Sequence, residues 1–149
     1  MDSARGQAIT LEYVLGVAIA SILIVGLVTT GASFVDQQGK QAAQAELRVI
    51  GQQLAADIEA VDRLASSAEK NTTVRIEREL PREAAGGYTV RVLERANPRL
   101  NLSSDSHDVS VRIEFSNSTA VSGTALSGGQ VLINYTASDE LRVERGDDQ

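Results

Sequence analysis

The chain has 149 residues, enough for one domain of ordinary size, and a formal charge of −6 from 20 acidic and 14 basic side chains. That acidic balance excludes the basic footprint of a nucleic-acid binder. With no cysteine and a single histidine, His107, disulfides, thiolate metal sites, a Cys nucleophile and a His-rich metal centre are excluded too, and little is left for a Ser–His–Asp triad.

The first six residues carry one basic side chain, Arg5. A short polar-to-apolar entry follows, Gln7-Ala8-Ile9-Thr10-Leu11, and then one carboxylate, Glu12. From Tyr13 to Val35 none of the 23 residues is charged. As a helix this block would span roughly 35 Å, enough to cross a bilayer's hydrocarbon core with some tilt. Gly16, Gly26 and Gly31 are poor helix formers in water but common in membrane helices. Gly31-Ala32-Ser33 has the small residues of a signal-peptide cleavage site. The apolar run is longer than a secretory h-region, however, and the helical pattern continues through it. The expectation is one membrane-spanning helix over Tyr13–Val35. Arg5 before it and the acidic remainder after it place the N-terminus in the cytoplasm and the C-terminal portion outside, as a single-pass cell-membrane protein.

The order Arg5-Gly6-Gln7, Glu12 and then an unbroken apolar helix resembles the class III signal peptide of archaeal type IV pilins and flagellin-like proteins. The continuation GVAIASILIVGLVTTGASFVDQQ, and further on ELRVIGQQLAADIEAVDRLA, is similar to haloarchaeal pilin-like surface proteins. The resemblance implies a prepilin peptidase cutting after Gly6, so that residues 1–6 are a leader peptide and Gln7 is the mature N-terminus. It also implies that the helix of residues 7–35 first sits in membrane lipid and then packs against copies of itself or other pilin-like subunits as a filament core. Bacterial pilins carry the Glu12 carboxylate one position earlier in the mature chain. Glu12 either pairs with the α-amine of a neighbouring subunit, since a carboxylate in lipid is expensive unless paired, or stands at headgroup level as a charge favoured by the helix dipole.

Past Val35 the composition changes but the period does not. Ala43, Leu47, Ile50, Leu54, Ile58, Val61 and Leu64 or Ala65 recur at three- and four-residue spacing, with Gln44, Glu46, Arg48, Asp57, Glu59 and Asp62 between them. This predicts an amphipathic helix over residues 36–70 that continues the first. Glu59–Arg63 is an i,i+4 pair in the better orientation. Its apolar stripe packs on a sheet; a free coiled-coil stalk would need a longer heptad run.

From Thr72 the period becomes two. Strands are predicted at Thr72–Leu80, Tyr88–Arg95, Asp108–Phe115, Thr119–Leu126, Gln130–Thr136 and Glu140–Arg145, with Asn97-Pro98 as a break and Gly128-Gly129 as a hairpin turn. Residues 72–145 thus form a β-rich head and residues 146–149 a disordered tail. The fold class is α+β: a long N-terminal helix, membrane-spanning in its first half and amphipathic in its second, packed on an antiparallel sheet of five or six strands. One face of the sheet is covered and the other is wet.

Four of the five asparagines, Asn71, Asn101, Asn117 and Asn134, stand in N-x-[ST] sequons. All follow the apolar block, which suits N-glycosylation of an exposed surface protein; the competing explanation is that Asn, Ser and Thr all favour turns. His107, between Asp105 and Asp108, reads as a solvated loop side chain. Carboxylate pairs such as Glu77/Glu79 and Asp147-Asp148 read as ordinary surface charges, and Gly128-Gly129 lacks the Lys-Ser/Thr of a phosphate loop. No catalytic site, cofactor or metal is predicted. Of the basic residues only Lys40 and Lys70 are lysine. With the acidic excess this suits either a salt-adapted surface or a high-GC genome. The sequence therefore points to a structural subunit, major or minor, of an archaeal type IV pilus-like filament. The alternative is a monomeric, membrane-anchored extracellular binding domain that does not polymerise.

Overall fold

A computed structural model of the chain describes residues 2–68, 72–93, 98–136 and 140–146. One long helix, α1 (Asp2–Ser67), precedes eight strands: β1 (Val74–Leu80), β2 (Tyr88–Leu93), β3 (Arg99–Ser104), β4 (Ser110–Glu114), β5 (Ala120–Gly123), β6 (Leu126–Ser127), β7 (Gly129–Thr136) and β8 (Glu140–Arg145). A 3₁₀ turn, Ala84–Gly86, lies between β1 and β2. The chain divides into two compact units, Met1–Gln38 and Gly39–Gln149. The fold is α+β.

In the second unit the amphipathic pattern of α1 becomes one wall of a core. Ala43, Leu47, Ile50, Leu54, Ile58, Val61 and Ala65 are buried. The stripe ends on Ala65, because Leu64 is 52% exposed. The strands form two four-stranded sheets, β1-β7-β8-β5 and β4-β3-β2-β6. Every pairing is antiparallel except β5 with β8. Side chains alternate between faces along a strand. In the first sheet, register puts Val74, Tyr135, Leu141 and Val121 in one inward row. In the second, Leu126, Val90, Leu102 and Val111 form another. The helix stripe from Ala43 to Val61 and the inner residues of these rows form one hydrophobic cluster, with Val74 and Tyr135 packed against it. Two glycines permit close approach of the layers. A Cβ on Gly51 would lie 2.7 Å from Ile113 Cγ1 and 2.8 Å from Leu102 Cδ1, so the helix backbone rests on the second sheet. A Cβ on Gly123 would lie 2.8 Å from Val92 Cγ2, so β5 comes against β2.

Several expectations need correction. Among the described residues the head has eight strands in two sheets, not the five or six expected in one. β3 was not expected: Asn97-Pro98 and the polar stretch from Ser103 left only Leu100 and Leu102 to show its alternation. The single strand expected over Thr119–Leu126 is two, β5 and β6, placed in different sheets. Gly128-Gly129 is consequently a crossing between sheets and not a hairpin turn, since β6 pairs with β2 while β7 pairs with β1 and β8. The helix ends at Ser67, short of residue 70. Residues 69–71 and 94–97 lie outside the described residues, as do 147–149 of the expected tail. Gly146 donates its N–H to the Gln130 carbonyl at 2.8 Å.

Four carboxylates on α1 act as acceptors for the head. Asp57 receives Arg78 through two bonds, from Nε at 2.7 Å and from the guanidinium at 2.6 Å. This hydrogen bond and the Asp57 charge raise the Arg78 pKa, against an opposing effect of burial. Glu46 accepts the Ala85 N–H at 2.6 Å, and Ser104 Oγ donates to the Ala85 carbonyl at 2.7 Å. Ala85 is thereby held at φ +53, a left-handed conformation that costs a non-glycine residue energy. Glu59 accepts the Ser116 N–H, and the buried Asp62 accepts those of Ser118 and Thr119 at 2.8 and 2.9 Å. Replacing Asp62 with alanine orphans two N–H groups and should destabilise the head by about 3 kcal/mol. Urea unfolding of the full chain in detergent measures this, with Ser66→Ala, whose hydroxyl bonds only within the helix, as the small-effect control.

Tyr88 is 1% exposed, and its hydroxyl has no hydrogen-bond partner among the described residues. Desolvation pushes its pKa up to about 12. The folded state thus holds this proton more tightly than the unfolded chain, whose phenol titrates near pH 10. Stability should be undiminished below about pH 10 and fall as pH rises from there toward 12. Tyr88→Phe should flatten that fall in alkaline unfolding curves and leave stability at neutral pH equal or higher.

Candidate functional site: an uncovered apolar helix

From Leu11 to Val35 the first unit has no buried residue. Leu11, Tyr13, Leu27 and Val35 are 71, 73, 76 and 69% exposed, and the large aliphatic side chains between them are exposed on every side of the helix. A helix apolar all round is stable only where something apolar covers it. By length and composition this one can cross a membrane.

Its polar groups fit such surroundings. All four Ser and Thr hydroxyls of the block bond to the carbonyl one turn back: Ser21 to Val17 at 2.8 Å, Thr29 to Val25 and Thr30 to Gly26 at 2.9 Å, and Ser33 to Thr29 at 3.1 Å. They therefore need no water. Gly16, Gly26 and Gly31 have open space where a Cβ would stand, so another helix can approach the backbone closely there.

Gly6 and Gln7 lie in the helical backbone near the start of α1; their side chains are outside what is described. Glu12 is exposed, ten residues after the first residue of α1.

The sequons scatter. Asn71 lies outside the described residues. Asn117 stands in the loop between β4 and β5, half-buried, with its Nδ2 donating to the Thr119 carbonyl. Asn101 and Asn134 sit on the outer faces of β3 and β7. Each faces an arginine on both neighbouring strands: Arg91 and Arg112 for Asn101, Arg75 and Arg142 for Asn134. The Asn134 Oδ1 is buried without a hydrogen-bond partner among the described residues. These arginine–asparagine rows were not read from the sequence, because register alone brings them together.

His107 is not the solvated side chain expected. It is half-buried, with Nε2 3.1 Å from where a Cβ on Gly39 would be. No cluster of His and carboxylates able to hold a metal occurs among the described residues. Glu77 and Glu79 are exposed on the outer face of β1, as expected.

These features define a class: an α+β head bearing an N-terminal helix able to cross a membrane once. The chain belongs to a family described as of unknown function, DUF7266, which it matches over residues 2–145. No curated protein and no solved structure matches it.

If lipid covers this helix, Ile24→Arg should weaken insertion by about 3 kcal/mol. The carbonate-resistant membrane fraction of the full chain should fall, while Thr30→Val, which removes only a satisfied hydroxyl, should leave it unchanged.

Proposed function

We propose that the chain is a pilin-like structural subunit of an archaeal type IV pilus-like surface filament. In this reading a prepilin peptidase removes residues 1–6 on the cytoplasmic side and frees the α-amine of Gln7. The apolar helix then leaves lipid and packs among the helices of other subunits, with the heads outside the cell. The observation that carries the reading is the complete exposure of an apolar helix attached to a head that has its own closed core. The back-bonded hydroxyls and bare glycines suit both environments such a helix would meet in turn. Glu12 would pair with a neighbour's freed α-amine as it leaves the membrane. A glycan at Asn117, in its loop, would add to the hydration that the carboxylates of the head provide. A scissile bond inside a helix must unwind to enter a peptidase, and Gly6 lowers that cost by roughly 1 kcal/mol relative to alanine.

Mass spectrometry of the protein from its native membrane tests the reading. The mature chain should begin at Gln7, and Gly6→Val should reduce processing at least several-fold. An intact N-terminal hexapeptide on the native protein overturns the filament reading and leaves a monomeric membrane-anchored head, which needs only lipid to cover its helix.

A further inference from the structure

In this acidic chain most described arginines are used internally. Arg63, Arg75, Arg78 and Arg142 are ion-paired, and Arg145 donates to Ser127. Arg91, Arg99 and Arg112 have no ion-pair partner among the described residues, and register places all three on the outer face of the second sheet. Arg91 and Arg112 flank Asn101 in one row across β2, β3 and β4. Their Cα atoms stand two strand spacings apart, about 10 Å. Glu114 is the carboxylate of that face, and Asp105 and Asp108 lie in the turn at its end.

The outer face of the first sheet also carries a row of opposite charge. Glu77, Leu132 and Glu144 form a row across β1, β7 and β8, with the two carboxylates again two strand spacings apart. Leu132, between them, is 8% exposed. Glu79 and Glu140 add negative charge, against Arg75 and Arg142. The first sheet thus carries, beside an Arg–Asn–Arg row like that of the second, a Glu–Leu–Glu row of the same spacing, and four carboxylates to two arginines against the second sheet's three arginines to one described carboxylate.

We infer that the arginine face of one head docks on the glutamate face of a second copy, Arg112 against Glu77 and Arg91 against Glu144. In that alignment Glu114, two residues beyond Arg112, falls beside Arg75, two residues before Glu77, so the Arg75–Glu77 ion pair of one copy, 2.8 Å long, meets Glu114 and Arg112 of the other with opposite charges adjacent. The contact is head-to-tail: one copy keeps its glutamate face free and the other its arginine face, so the contact propagates without closing. Each face is small, about 300 Å² by strand spacing, against roughly 800 Å² per partner in a stable interface. It therefore adds to assembly only where the helices already hold the copies together, and in this it rests on the filament reading. A glycan on Asn101 would stand in the middle of the docked face, so the contact requires that residue bare.

The chain has no cysteine, which makes introduced pairs clean reporters. Full-length Arg112→Cys/Glu77→Cys protein, oxidised in its native membrane, should give a ladder of covalent oligomers, and each single variant should give none. Arg91→Glu/Arg112→Glu should lower the assembled fraction by about tenfold, and adding Glu77→Arg/Glu144→Arg in the same chain should restore it. Absence of a ladder from wild-type-like assemblies, dimers from Arg112→Cys alone, or added mass on Asn101 overturns the docking and leaves the filament reading standing. Sedimentation of the unsubstituted chain as a monomer overturns both.

Discussion

A helix that is apolar on every side has to be covered, and no residue between Leu11 and Val35 is covered by its own unit. Most of the chain's organisation follows from this requirement. Charge is absent from Tyr13 to Val35 and returns at Asp36. Every serine and threonine hydroxyl in the block is turned back on the helix, so that no polar group is left wanting in an apolar medium. From Ala43 the same helix changes to a one-sided pattern, because from there a sheet covers one side and water the other.

The amphipathic half of α1 does more than supply apolar surface. Loops and turns carry backbone N–H groups that no strand can satisfy, and the helix meets them with carboxylates from the flanks of its stripe. Glu59 and Asp62 hold the segment between β4 and β5, and Glu46 holds the strained turn at Ala85. Asp57 ties β1 through Arg78. Hydrogen bonds to ionised acceptors are roughly twice as strong as neutral ones. Asp62 can therefore be buried inside an otherwise apolar wall without being an uncompensated charge.

Periodicity made the helix legible. The apolar block, the stripe from Ala43 to Val61 and the change of period after Thr72 all rest on local spacing, and local spacing survives into the structure. β8 coincides with its expected bounds for the same reason. What failed was non-local. Leu100 and Leu102 are only two inward residues between Pro98 and the polar stretch from Ser103, too few to announce β3. Val121 and Leu126 lie five residues apart in different sheets, and nothing in the segment between them says that β5 pairs in parallel with β8 while β6 crosses to β2. Asp62 looked like one of several polar interruptions of a surface helix. Its role depends on a loop more than fifty residues away. That the block is long and apolar enough to cross a membrane was readable because length and composition alone decide it.

Division of the head into two sheets has a consequence that a single sheet would not. One sheet under one helix has one wet face, and two copies joined through it would close as a symmetric pair. Two sheets around a shared core have two outer faces, and register gives them unlike charge balance: both carry arginines astride an asparagine, and the first adds glutamates straddling Leu132. Unlike faces on one body favour an open, repeating contact over a closed one. A weak contact of this kind adds little to an isolated head, but an apolar helix that needs cover gathers many heads in one place. In the proposed filament a small charge match, repeated at every subunit, would fix how neighbours are oriented.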